Sequence, residues 1–222
     1  MKWIDIHRHS EIIQNEDVIT VLNLDKDFQK PNDRYFTVGI HPWWIEEVNR
    51  DEALKTMIQL AQDKNFICFG EMGIDRAIEV SLDTQIKVFE VQLELASEYS
   101  PHFVIIHCVR AFNEILGAVK RTNYKGTLIF HDYNASEEIT KELLAHDYCL
   151  SFGRHLFNDS TKAYKQFKNI PVENIFLECD DWKDMTIQEI YQKASEIKGM
   201  EVENLKMAIH KTFEKILLTR KN

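Results

Sequence analysis

Two histidines separated by one residue stand near the amino terminus, in residues 3–9 (WIDIHRH). Apolar and polar residues alternate in this segment, which predicts a β-strand. Side chains two apart on a strand point to the same side, so His7 and His9 are expected to project together from its carboxyl end. Two imidazoles aimed at one point form half of a site for a divalent metal ion. The alternative is a pair of surface histidines at the end of a strand.

Further histidines and carboxylates recur at one kind of position, directly after a short apolar run. The residues that we expect to join His7 and His9 are His41, Glu71, His107, His131 and Asp180. Carboxylates suit hard divalent cations, imidazoles are borderline ligands, and a carboxylate between two ions can bridge them. Each residue alone has a simpler explanation, as a turn residue, a solvated carboxylate or a hydrogen-bonded core histidine. Their joint recurrence favours the metal site.

Short apolar runs are predicted to be the strands that carry these residues. The predicted strands are residues 3–9, 18–24, 35–40, 66–70, 103–107, 126–131, 148–152 and 174–181. The predicted helices are residues 51–64, 83–99, 111–120, 136–145, 161–167, 187–198 and 202–218, with Ser136 as the N-cap of the fourth. The second and third strands are separated by too few residues for a helical crossover. We therefore expect this corner to be compact or irregular.

The alternation of strands and helices predicts a single α/β domain over residues 1–222, built as a (β/α)8 TIM-type barrel. In such a barrel the carboxyl ends of all strands converge on one rim, where active sites lie. A doubly wound open sheet is the alternative fold. It is less favoured because no glycine-rich phosphate turn follows any of the strands.

Composition limits the function classes. The net charge of −9 argues against tight binding to long duplex DNA through a broad basic face, although a metal ion can supply positive charge locally. The four cysteines lie in apolar runs without CxxC spacing, which is typical of buried free thiols in a reducing compartment. No apolar run approaches the ~20 residues that span a bilayer. We therefore expect a cytoplasmic location, no membrane association and no stable protein partner.

Five segments of the chain resemble, in order, the signature blocks of the TatD family of metal-dependent deoxyribonuclease-like hydrolases. The segments are residues 7–9 (HRH), 39–42 (GIHP), 70–75 (GEMGID), 106–111 (IHCVRA) and 177–180 (LECD). One such block is weak evidence, whereas five blocks in the family's order are specific. The resemblance implies an amidohydrolase-type barrel with two divalent metal ions, which could be zinc, magnesium or manganese.

The resemblance also implies a role for each matching residue. The implied metal ligands are His7, His9, Glu71, His107, His131 and Asp180. Glu71 would bridge the ion held by the amino-terminal histidines and Asp180 to a second ion held by His107 and His131. Glu71 and Asp180 would be the catalytic residues, with Asp180 as the base for the attacking water. His41 and Arg110 would bind a substrate phosphate, for which the planar arginine fork is well suited.

Two segments depart from the usual pattern of the family. After the sixth strand the family commonly has His-Cys-Phe-Ser-Gly, whereas residues 131–135 of this chain are HDYNA. After the last aspartate the family usually has a small residue and Pro, whereas Asp181 and Trp182 follow here. The chain is also shorter than usual members between the second and third strands. These departures indicate that the ligands are kept and the surrounding pocket is changed.

The leading hypothesis is a phosphodiesterase, an exonuclease-like deoxyribonuclease that acts on nucleic-acid ends. Binding the end of a nucleic-acid strand needs only a local site of positive charge, which an acidic protein can provide. Trp43, Trp44 and Trp182 would stack on bases if they line the rim, or else pack beneath it. One alternative is a hydrolase of a small amide, lactone or phosphoester that uses the same ligands. Another is a non-catalytic binding protein that keeps the barrel.

Overall fold

The structure, a computed structural model, describes residues 1–9, 16–99 and 103–219. Its strands are β1 (Trp3–Arg8), β2 (Val18–Asn23), β3 (Tyr35–Val38), β4 (Phe66–Asp75), β5 (Phe103–Val109), β6 (Thr127–Phe130), β7 (Cys149–Phe152) and β8 (Ile175–Leu177). They form one sheet in the order β1 to β8. The pairs β1 with β2, β3 with β4, β4 with β5, and β7 with β8 are parallel.

Helices alternate with the strands over most of the described chain. They are α1 (Arg50–Leu60), α2 (Leu82–Tyr99), α3 (Phe112–Thr122), α4 (Glu137–Ala145), α5 (Lys162–Phe167), α6 (Ile187–Lys198) and α7 (Val202–Thr219). Short 3-10 turns cover Pro42–Trp44, Arg154–Phe157 and Val172–Asn174. The hydroxyl of Ser136 accepts the backbone N–H of Ile139, so the predicted N-cap of α4 is confirmed. Residues 24–34, between β2 and β3, hold no helix, as expected for this corner.

The strand order and the alternating helices have the topology of a (β/α)8 barrel, so the predicted fold class is confirmed. β1 is also hydrogen bonded to the chain that follows β8. The N–H of Asp180 donates to the carbonyl of His7 at 3.0 Å, and the N–H of His9 donates to the carbonyl of Asp180 at 3.2 Å.

The chain forms two compact units. The terminal unit consists of Met1–Leu22 and Phe130–Leu218, and the central unit contains Asn23–Ile129. Each unit has its own apolar core. The fully buried core side chains include Ile4, Ile6, Phe152 and Phe176 in the terminal unit, and Phe36, Phe69, Phe89 and Ile105 in the central unit. The expectation of a single domain stays a prediction.

Two strands differ from their predicted limits by more than two residues at one end. The strand predicted to end at Gly70 runs on to Asp75, because its later residues keep pairing with β5. Glu71 therefore lies within a fully buried strand, not after its end. The last strand is shorter than predicted, because Val172–Asn174 form a turn and Asp180 has a left-handed φ of 52° that interrupts extended backbone.

Two expectations drawn from composition concern the cysteines and membrane-spanning segments. All four cysteines are free, as predicted, and three are buried while Cys108 is half-buried. Within the described ranges, no helix is both long and apolar enough to cross a membrane.

Gly73 lies in β4 directly opposite His107 of β5. Its φ is +156°, and a Cβ atom would lie 1.9 Å from the carbonyl oxygen of His107. We expect Gly73→Ala to lower the free energy of unfolding by more than about 2 kcal/mol, because the β4–β5 register would have to open. Urea unfolding measures the change.

Gly117→Ala is the matched control, since Gly117 lies inside α3. The nearest atom to its Cβ would be the flexible end of the Arg121 side chain, at 3.1 Å. Alanine should stabilise this helix by about 0.5–1 kcal/mol. Equal effects of the two substitutions would show that β4 and β5 do not approach as described.

Candidate metal centre

One group of metal-binding side chains lies in the terminal unit and is called here the terminal cluster: His7, His9 and Asp180. One ligand atom of each lies within 4.8 Å of the other two. The Nε2 atoms of His7 and His9 are 3.2 Å apart, as expected for residues that share one side of a strand. Asp180 Oδ1 lies 3.5 Å from His9 Nε2 and 3.8 Å from His7 Nε2. The predicted grouping of these three residues is thus seen in the structure.

The backbone places Asp180 between the two histidines. The N–H of Asp180 donates to the carbonyl of His7, and the carbonyl of Asp180 accepts the N–H of His9. A buried ion pair supports the same segment: Arg8 Nη1 lies 3.2 Å from Asp5 Oδ2, and Asp5 Oδ1 accepts the N–H of Cys179 at 3.0 Å. Burial raises the pKa of Asp5 to about 6, although the Cys179 hydrogen bond and the Arg8 charge oppose this.

His131 belongs to the same unit and has a carboxylate beside it. The rings of His7 and His131 have centroids 4.4 Å apart. Glu178 Oε1 lies 3.4 Å from His131 Nδ1 and accepts the N–H of Asp132 at 2.7 Å, and Glu178 is fully buried. A histidine that ligates a metal usually gives its other ring N–H to such a carboxylate. The arrangement therefore fits His131 as a ligand through Nε2.

A second group lies in the central unit and is called the central cluster: His41, Glu71 and His107. Their ligand atoms also lie within 4.8 Å of one another, and all three residues are buried. Glu71 Oε1 lies 2.7 Å from His107 Nδ1 and 3.2 Å from His41 Nε2. His41 was expected to bind substrate phosphate, but these distances make it equally suited to be a metal ligand.

Asp75 and Trp43 border the central cluster. Asp75 Oδ2 lies 3.2 Å from His107 Nε2 and accepts the indole N–H of Trp43 at 2.8 Å. Burial would raise the pKa of Asp75, but hydrogen bonds from His107, Trp43 and the N–H of Ala77 lower it to about 2. The Trp43 ring is 57% exposed and lies 4.9 Å, centroid to centroid, from the ring of His41. Trp43 therefore borders the candidate site and is open to solvent.

Asn23 holds the backbone of Glu71 in place. Its Oδ1 atom accepts the N–H of Glu71 at 2.6 Å and the hydroxyl of Thr37 at 3.1 Å. Sequence reasoning missed Asn23, since nothing local in the sequence marks a contact 48 residues away. It also missed Asp75 and Glu178, which stand inside the segments 70–75 and 177–180 and could have been found there.

Other parts of the predicted site stay predictions. The bridging role of Glu71 joins residues of both units, and no described feature tests it. Arg110 follows β5, is exposed and has a left-handed φ of 55°. Its role in binding a substrate phosphate therefore stays a prediction.

The donor set fits divalent metal ions. Each cluster offers imidazole nitrogens and a carboxylate, which suit zinc, manganese and, for the carboxylates, magnesium. Neither described cluster contains a cysteine, so the set does not favour thiolate-preferring metals. The carboxylate of Glu178, 3.4 Å from His131 Nδ1, lies where it can orient a metal-binding histidine.

The sequence matches a known protein family and several curated proteins. The family model described as TatD related DNase matches residues 11–218. The chain is 28% identical over 150 residues to the uncharacterized metal-dependent hydrolase YabD of Bacillus subtilis (strain 168), covering 66% of this chain and 58% of that protein. It is 28% identical over 151 residues to a putative deoxyribonuclease TATDN1 homolog of Vairimorpha ceranae (strain BRL01), covering 67% and 52%. The chain thus spans a little over half the length of these two relatives.

A solved structure resembles the whole fold. The crystal structure of a hydrolase TatD family protein from Entamoeba histolytica superposes with a TM-score of 0.77 and 14% identity, covering 97% of both chains. At this identity the likeness supports the barrel fold alone.

Glu178→Gln tests whether the carboxylate beside His131 serves a metal site. The amide keeps the size of the side chain and can still accept the N–H of Asp132, but it loses the charge. We expect affinity for a divalent ion to fall about 10–100-fold, as is typical when an orienting carboxylate is removed. Competition with a chromogenic chelator measures it.

The control is Glu114→Gln on α3, where Glu114 pairs with the exposed Arg76 at 2.9 Å. This substitution should leave metal affinity within about twofold of the parent. If Glu178→Gln behaves like this control, Glu178 does not orient a metal-binding histidine.

Proposed function

Because the chain belongs to the TatD related DNase family, we propose that it is a metal-dependent hydrolase of phosphodiester bonds that acts on DNA ends. The observation that carries the proposal is the pair of clusters, each with two histidines and a carboxylate whose ligand atoms lie within 4.8 Å of one another. The name of the Vairimorpha ceranae relative, a putative deoxyribonuclease, supports the choice of DNA.

We propose two divalent ions per chain, with donors from the terminal cluster, the central cluster and His131. Zinc, magnesium or manganese fits these donors. Such ions supply hydrolases with Lewis-acid polarisation of a phosphoryl oxygen and activation of water. The protein contributes by fixing the donors before substrate arrives, through Glu178 beside His131 and Asn23 beside Glu71.

Asp180 is proposed to be the base that takes the proton of the attacking water. Its side chain is 19% exposed, so water can reach it, whereas the side chain of Glu71 is 2% exposed. A base must lie within hydrogen-bond reach of the proton that it accepts. Glu71 is accordingly assigned the role of a metal ligand, and Asp180 is assigned the transfer of the proton.

Trp43 supports a nucleic-acid end as substrate. Its exposed ring borders His41 and His107, and an aromatic ring beside a reactive site can stack on a base for about 1–3 kcal/mol. The net charge of −9 also favours a short contact with a strand end over a long contact with duplex DNA.

The second candidate function is hydrolysis of a small phosphoester, amide or lactone with the same donors. The exposed Asp181 favours it, because a negative charge directly after Asp180 opposes the approach of a long polyanion. A non-catalytic binding protein is less favoured, since all predicted ligands are kept.

The proposal is tested on an end-labelled single-stranded DNA with protein that has been stripped of metal and resupplied with magnesium, manganese or zinc. We expect a ladder of products from one end, only when a metal is present. His9→Ala should lose this activity while its circular dichroism stays that of the parent. Absence of cleavage with about two ions bound per chain would reject the nuclease and direct work to small esters and amides.

Asp180→Asn tests the assignment of the base. We expect kcat to fall by about 10²–10⁴, the usual contribution of a general base, while most of the metal is retained. Asp184→Asn, at an exposed position a few residues along the chain, should leave kcat unchanged. Parental turnover in Asp180→Asn would show that another group accepts the proton.

A further inference from the structure

Arg154 connects the two segments in which this chain departs from the usual family pattern. It begins the 3-10 turn Arg154–Phe157 that follows β7. Its guanidinium carbon lies 4.2 Å from the centre of the Trp182 ring, and its Nη2 atom lies 3.9 Å from Asp132 Oδ2. Asp132 follows His131 directly, and Trp182 is two residues after Asp180. The cation therefore contacts residues that are one and two positions along the chain from the proposed metal ligands His131 and Asp180.

Both neighbours of Arg154 are fixed by other contacts. The N–H of Asp132 donates to the buried Glu178 at 2.7 Å, and its Oδ1 atom lies 3.3 Å from His155 Nε2. The carbonyl of Trp182 accepts a hydrogen bond from Arg8 Nη2 at 3.3 Å. The surface on which the guanidinium rests is thus built on the same strands as the proposed ligands.

The contacts leave the donors of Arg154 available. Stacking on an indole uses the flat face of the guanidinium, and the five N–H groups lie along its edge. The 3.9 Å separation from Asp132 is an ion pair but is longer than a hydrogen bond. Within the described part of the chain, Arg154 makes no hydrogen bond through its guanidinium, and its side chain is 41% exposed. If Arg154 served only to join the segments after β6 and β8, we would expect its guanidinium N–H groups to form hydrogen bonds with them.

A planar fork with open donors is suited to a phosphate group, which it can bind through two parallel hydrogen bonds. Trp182 on one face and Asp132 near one edge hold the fork in a fixed orientation, which reduces the entropy lost on binding. A phosphate bound there would lie near one bound at the proposed ligands His131 and Asp180, because Asp132 and Trp182 adjoin these ligands in the chain.

We propose that Arg154 is a specificity-determining residue that binds a second phosphate of the substrate, next to the phosphate that is attacked. The proposal rests on the proposed function, since the first phosphate is the one held at the metal ligands. It narrows the substrate class to nucleotides and strand ends that carry at least two phosphates.

The test uses binding, so that it does not depend on turnover. The probes are thymidine 3′,5′-bisphosphate and thymidine 5′-monophosphate, titrated calorimetrically into metal-loaded protein. We expect the parent to bind the bisphosphate at least about tenfold more tightly than the monophosphate, the size of one charged hydrogen-bonded contact. Arg154→Gln should lose that preference and leave monophosphate affinity within about twofold.

Two further variants make the result specific. Arg154→Lys keeps the charge without the planar fork and should retain part of the preference. Arg121→Gln removes an exposed arginine that pairs with Glu90 in the central unit, and it should change neither affinity. Circular dichroism and metal content establish that each variant is folded.

Each outcome decides between the proposals. If Arg154→Gln keeps the preference, or weakens both probes equally, the inference about Arg154 is wrong, whether or not the parent cleaves DNA. If the preference depends on Arg154 but the parent cleaves no DNA, the nuclease proposal fails. The assignment of Arg154 then stands for a small ligand with two phosphates.

Discussion

The terminal cluster depends on the pairing of β1 with the chain that follows β8. Two backbone hydrogen bonds place Asp180 between His7 and His9, and this register decides which side chains meet. A slip of one residue would turn the histidines to the opposite face of the strand. The buried pair of Asp5 and Arg8 opposes such a slip, because Asp5 would lose the N–H of Cys179 and Arg8 would lose the carbonyl of Trp182 in a region that excludes water. The pair is therefore better understood as fixing the register than as a source of stability.

Each unit fixes one of its histidines with a carboxylate. In the terminal unit, Glu178 lies beside His131, and in the central unit Asp75 lies beside His107. The low pKa of Asp75, about 2, keeps it ionised wherever an imidazole is neutral and able to bind a metal. Donors that are oriented in advance lose less entropy on binding an ion. Both carboxylates thus belong to the site although neither is a proposed ligand.

Most of the fold and the identity of the donors could be predicted from the sequence, because both are local signals. Hydrophobic spacing predicted α6 to its last residue, and the HxH spacing predicted the meeting of His7 and His9. The extension of β4 beyond Gly70 could not be predicted, since it depends on pairing with β5. The proximity of His41 to Glu71 likewise arises from tertiary packing. The candidate donors were therefore easier to identify from the sequence than the contacts that each donor makes with the others.

Net charge and local charge have different consequences for this protein. The excess of nine negative charges is spread over the surface, and at physiological salt a charge acts over about 8 Å. What a ligand meets near the terminal cluster is the local set of Arg154, Asp132 and Asp181. Arg154 and Asp132 carry opposite charges 3.9 Å apart, and Asp181 adds an exposed negative charge directly after Asp180. The charge of Asp181 opposes a long polyanion, whereas the open donors of Arg154 offer a short ligand a place for a second phosphate.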